Sequence, residues 1–167
     1  AAALRPADHR LRSALQQFAG AIAVTAALLS ATIAAASGLM DAATAVMFGA
    51  GVALFALEEV MRRLLMAGFG FWRVMLIDFA SFVVALAVVG LSALAGSLSL
   101  FVFLAAVAAG QLAAISLGIV LLPREERYIV GFMRGGHGTV FRYGIWRAGQ
   151  QFLRPAMLTV IRTLVTV

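Results

Sequence analysis

The chain has no cysteine, no lysine, only three prolines and few charges, 12% of its 167 residues. Without cysteine there can be no disulfide framework and no thiolate metal site. The two histidines, His9 and His137, stand far apart in sequence and at no metal-ligand spacing, so no metal is expected. Without lysine the glycine-rich stretch Gly135-Gly136-His137-Gly138 is not a phosphate-binding P-loop, because no Gly-Lys-Ser/Thr follows it and no strand precedes it. No serine or other nucleophile stands beside a base. These absences argue against an enzyme and imply no cofactor.

What is present is apolar. Hydrophobic residues make up 63% of the chain, and the mean hydropathy is +1.04. Soluble domains hold about 45–50% apolar residues. The excess falls into four stretches: residues 18–39, 42–57 running on toward Met66, 74–96 and 98–122. A helix rises about 1.5 Å per residue, so each is long enough, or nearly so, to cross a hydrocarbon core of about 30 Å. Arginine appears only at every second connection. Arg5, Arg10 and Arg12 precede the first stretch, and Arg62, Arg63 and Arg73 lie between the second and third. Five more, from Arg124 to Arg147, follow the fourth, while the other two connections hold no base. Basic residues stay on the cytoplasmic side. The expected N-terminus is therefore cytoplasmic, and so is everything after Leu122. The net charge of +6 is then a topology signal at the lipid surface, not a nucleic-acid footprint.

The expected fold is an all-α integral membrane protein with four transmembrane helices. A cytoplasmic amphipathic helix leading into a partial fifth span follows them. Residues 1–16 read as a cytoplasmic arm, 17–122 as the four-helix bundle, 123–140 as a cytoplasmic connection, and 141–167 as the amphipathic helix and start of the further span. The chain opens without methionine and stops inside an apolar run, which suggests an internal segment of a longer protein.

Small residues recur at helical spacing: Ala19, Ala23, Ala27, Ala31 and Ala35 in the first span, Ala45, Gly49 and Ala53 in the second, and Ala106, Gly110, Ala114 and Gly118 in the fourth. Hydrophobicity cannot drive helices together in lipid, and stripes of this kind permit close van der Waals contact instead. The third span is bulky, with Phe79, Phe82, Val83 and Leu86, and is expected to face lipid. The short turn at Ser97 and Ser99 makes the third and fourth spans antiparallel neighbours.

Polar residues are few and therefore informative. Glu58 and Glu59 precede Arg62 and Arg63 by four residues, with each glutamate N-terminal to its arginine. This pattern is a helix-end clasp or a gate. Asp78 lies about one turn inside the next span, where a carboxylate needs a partner. Arg62, Arg63 and Arg73 are all within reach of it. Gln111, near the middle of the fourth span, is expected to bond a neighbouring helix or to line a polar cavity. Arg147 and Arg154 are seven residues apart on the amphipathic stretch. They either meet an anionic substrate or lie among lipid headgroups.

The run Leu57-Glu58-Glu59-Val60-Met61-Arg62-Arg63-Leu64-Leu65-Met66-Ala67-Gly68, followed by Trp72 and Ile77-Asp78, resembles a segment of bacterial polysaccharide flippases. These belong to the multidrug/oligosaccharidyl-lipid/polysaccharide exporter superfamily. Arg142-Tyr143-Gly144-Ile145-Trp146-Arg147 resembles the opening of that family's seventh span. The resemblance implies translocation of a lipid-linked oligosaccharide across the bacterial inner membrane, without covalent chemistry. It makes membrane lipid and the remaining helices of a longer chain, or other subunits, the expected partners. Family members have about twelve to fourteen spans, so this chain would supply only part of one. The contrasting expectation is a small four-span structural or assembly subunit of a membrane complex.

Overall fold

A computed structural model describes residues 9–122 and the single positions Gly138, Phe141, Arg142 and Gly144. The chain divides into two units, Phe18–Ile129 in one and Ala2–Gln17 with Val130–Val167 in the other. In the second unit the structure describes the start of the first helix and the four single positions, which are helical. The first unit carries the apolar helices.

Four helices follow in order: α1 (His9–Ala36), α2 (Ala42–Ala67), α3 (Phe71–Leu94) and α4 (Leu100–Leu121). Each contains a stretch long and apolar enough to cross a membrane, and among the described residues there is no strand. The described residues are all-helical, with the four membrane-spanning-capable helices that were expected. The amphipathic helix over 141–154 and the fifth span lie outside the described residues, apart from Phe141, Arg142 and Gly144.

The helix starts follow from capping chemistry. Asp41, extended at φ −65°, ψ 161°, accepts a hydrogen bond from the Thr44 N–H at 3.2 Å and another from the Thr44 hydroxyl at 2.5 Å. Ser99 accepts from the Val102 N–H at 3.2 Å. Each occupies an exposed backbone donor at a helix start. At the far end of α4, Leu122 is extended because it precedes Pro123, whose ring disfavours a helical residue before it.

The helices meet through their small residues. Ala106 and Ala114 are fully buried, and Gly110 and Gly118 are buried with them. A Cβ on Gly110 would stand 2.5 Å from the Ser81 carbonyl oxygen of α3, so the backbones of α3 and α4 touch there. A Cβ on Gly118 would meet only the flexible Met61 side chain of α2, at 3.7 Å. The α1 stripe serves α2 in the same way: a Cβ on Gly49 would lie 2.5 Å from the Ala27 carbonyl oxygen and 2.9 Å from Cβ of Ala31. The bulky face of α3 (Phe79, Phe82, Val83 and Leu86) is exposed, as a lipid-facing helix requires.

Among the described residues, larger buried side chains gather at the arginine-bearing end. Leu65, Ile77, Ala114 and Leu122 form a buried cluster with Met61, Val74, Leu117 and Leu121 against it. Ile77 is the one bulky side chain fully buried among the described residues. It pins α3 beside α2 and α4, and it sets the neighbouring Asp78 at the rim.

The two glycines of α4 predict opposite outcomes. Gly110→Ala should destabilise by about 1–3 kcal/mol, because a backbone carbonyl must move. Gly118→Ala should stay within about 0.5 kcal/mol, since its methyl makes ordinary contact. Unfolding of the purified protein in detergent measures both, and equal losses would contradict a backbone contact between α3 and α4.

Candidate functional site

The polar residues of α2 and α3 converge on one guanidinium. Arg62 stands one turn before the end of α2, where its side chain is 29% exposed. Its Nη2 donates to Oδ1 of Asp78 on α3 at 2.6 Å and to Oε1 of Glu58, one turn back on its own helix, at 3.4 Å. Its Nη1 lies 3.6 Å from Oε2 of Glu59. Arg63 turns outward, 65% exposed, and donates from Nε to Oε1 of Glu59 at 2.8 Å. The structure therefore brings together Glu58, Glu59, Arg62, Arg63 and Asp78, and it selects Arg62 from the three arginines that could reach Asp78.

The partners differ in their access to water. The Glu58 side chain is only 8% exposed, whereas those of Glu59 and Asp78 are 34% and 45% exposed. A buried carboxylate without a counter-charge is costly, so Glu58 is the group that most needs Arg62. The shortest contact nevertheless goes across to Asp78. That bond is the only ion pair between two helices among the described residues. It closes the α2–α3 hairpin at the arginine-bearing end.

Arg73 does something the sequence did not suggest. Its Nη1 donates to the Leu121 carbonyl at 3.0 Å, occupying one of the acceptors left open at the end of α4. Its guanidinium also lies 5.5 Å from the centre of the Trp72 ring. Arg62 ties α3 to α2, and Arg73 ties α3 to α4.

Gln111 is buried in the fourth helix, 6% exposed. It lies one residue after the Gly110 contact with α3 and seven before Gly118, which meets α2. Its Oε1 is buried without a hydrogen-bond partner, as is the Arg62 Nε. The sequence left this amide a bond to a neighbouring helix or a place in a polar cavity, and its oxygen makes no protein hydrogen bond here. A hollow of about 460 Å³ lies near the opposite ends of the helices, lined by Asp41, Thr44, Ser99 and Phe101 among others, and Gln111 is not in its wall. Asp41 there is exposed. The Thr44 hydroxyl first, and then the Thr44 N–H, hold its carboxyl below the usual carboxylate range. This cap is therefore in place at neutral pH and is lost as pH falls through that lowered value.

Arg147 and Arg154 lie outside the described residues. No group of three histidine, cysteine or acidic side chains among the described residues could hold a metal ion. Protein-family models, curated proteins and solved structures were compared with the chain, and none of them matches.

The two arginines of α2 separate in consequence. Arg62→Met leaves the Glu58 carboxylate buried alone and should lower stability by roughly 1–4 kcal/mol, the lower end reflecting its partial exposure. Arg63→Met removes an exposed pair and should cost less than about 1 kcal/mol. Denaturant unfolding in detergent tests this, and equal losses would show that Glu58 does not depend on Arg62.

Proposed function

We propose that this chain is part of a multi-pass membrane transporter of the bacterial inner membrane. It would translocate a lipid-linked oligosaccharide or polysaccharide precursor, with its N-terminus in the cytoplasm. The observation that supports the reading is the three-way pairing of Arg62. A transporter must open one end of a helix bundle and close it again at little cost. If α2 and α3 part at this end, Arg62 loses Asp78 but keeps Glu58 and Glu59, which travel with it on the same helix. No guanidinium or buried carboxylate is then stranded in an apolar phase, where the cost would be several kcal/mol. The pair can break and re-form, and the exposed Asp78 is left where water reaches it.

The arginine alternation supports the orientation. The resemblance of residues 57–78 to polysaccharide flippases supports the substrate class, and so does the placement of Arg147 and Arg154 seven residues apart, on one side of a helix if the segment is helical. The planar guanidinium suits phosphate or sugar-acid oxygens. Gln111 would add a neutral polar group at mid-depth.

The test uses the complete protein in its own cell. Arg147→Gln with Arg154→Gln should reduce export of the polysaccharide at least tenfold at unchanged membrane abundance. Asp78→Asn should slow export while the protein still reaches the membrane. Normal export in both variants at normal abundance would reject transport through this chain and favour a structural or assembly subunit.

A further inference from the structure

The end of α2 breaks a rule that the end of α3 obeys. Both helices close with the same pair of hydrogen bonds. After α3, the Gly96 N–H donates to the Ala93 carbonyl at 3.0 Å and the Ser97 N–H to the Ser92 carbonyl at 3.0 Å. After α2, the Phe69 N–H donates to the Met66 carbonyl at 2.9 Å and the Gly70 N–H to the Leu65 carbonyl at 2.9 Å. This closure requires a left-handed residue at its first donor, a position normally filled by glycine. Gly96 fills it after α3 with φ +65°, and Gly38 is left-handed after α1 with φ +69°. After α2 the position is held by Phe69, with φ +55°. A bulky residue is strained there. Glycine stands on either side of it, at Gly68 and Gly70, so the turn is not short of glycine.

The strained ring gains little from burial in the fold. Phe69 is 82% exposed. Its nearest ring is Phe71, edge-on at 6.5 Å and itself exposed, and Trp72 beside it is exposed too. The left-handed backbone turns the ring away from the core. An observed strain of this kind is grounds to look for a function outside the packing. Its position supplies one. The apolar stretch of α2 ends at Met66 and that of α3 begins at Phe71, so residues 67–70 lie at the membrane boundary on the arginine-bearing side. Tryptophan beside arginine is the side chain that the zone between headgroups and acyl chains selects, and phenylalanine beside it buries its ring at the same boundary.

We propose that Phe69, Phe71 and Trp72 form an interfacial wedge, with the Phe69 ring seated at the boundary between lipid headgroups and acyl chains. The wedge sets the depth of the α2–α3 hairpin. It thereby keeps Arg62, two turns before Phe69, just inside the boundary. Arg73, joined to Trp72 on one side and to the Leu121 carbonyl on the other, extends the same depth reference to α4. The proposal requires only that the helices span a bilayer and is independent of what, if anything, is transported.

The chain has two tryptophans, Trp72 and Trp146. The variant Phe69→Trp/Trp72→Phe/Trp146→Phe therefore carries a single indole at the wedge. The protein is reconstituted into phosphatidylcholine–phosphatidylglycerol vesicles. Quenching of the indole is compared for lipids brominated high on the chain, lipids brominated near the chain end, and aqueous acrylamide. The expected order is strongest quenching by the shallow bromines, several-fold weaker quenching by the deep ones, and acrylamide quenching well below that of the unfolded protein. Strongest quenching by deep bromines would overturn the proposal, as would full acrylamide access without lipid quenching. Shielding from all three quenchers would overturn it in favour of a covering protein surface. The variant Trp146→Phe, which keeps the native Phe69 and reads Trp72 alone, must follow the same order. If it does not, the proposal also falls.

Discussion

Arg62 cannot be left without a carboxylate, because it sits near the end of an apolar helix and faces a glutamate that is almost wholly buried. That requirement organises the arginine-bearing end of the molecule. Glu58 and Glu59 are placed one turn back on the same helix, so they satisfy it whatever the neighbouring helices do. Asp78 satisfies it from α3, beside Ile77, which is seated in the apolar cluster with Leu65 and Ala114. The ion pair and the cluster are thus two faces of one contact, and α3 presents them with adjacent residues. Away from this end the helices are held differently, by backbone approaching backbone at Gly110 and Gly49.

Much of this architecture was legible in the sequence because membrane helices obey strong constraints. Apolar length alone placed all four helices. The small residues of α4 announced a packing face, and Ala106, Gly110, Ala114 and Gly118 are indeed buried. What could not be read was which neighbour each face meets. Gly110 and Gly118 look alike in sequence, yet one touches a carbonyl of α3 and the other a methionine side chain of α2. That difference is set by the relative rotation of helices distant in the chain.

The candidate site shows the same division. The i, i+4 spacing gave the two pairs within α2, since both partners share one helix. The choice of Arg62 for Asp78 depends on how α2 and α3 turn about each other, and three arginines satisfied the sequence equally. Arg73 was read as a rival for Asp78, and it instead reaches the Leu121 carbonyl, a backbone acceptor with no residue-type signal. The unpartnered oxygen of Gln111 and the left-handed Phe69 are likewise properties of backbone placement. No residue-type signal named this phenylalanine as the residue that would bear the strain.

The central claim is that Arg62 and Asp78 join α2 to α3 by a direct interaction, with the helical glutamates as its alternative partners. A double-mutant cycle with Arg62→Gln and Asp78→Asn, followed by denaturant unfolding in detergent, measures that interaction alone. The account predicts a coupling of about 0.5–1.5 kcal/mol, which should shrink as salt is added, because the pair is only partly shielded from solvent. A coupling below about 0.3 kcal/mol, with the two single losses simply adding, would mean that the two helices are held by packing alone and would contradict the account.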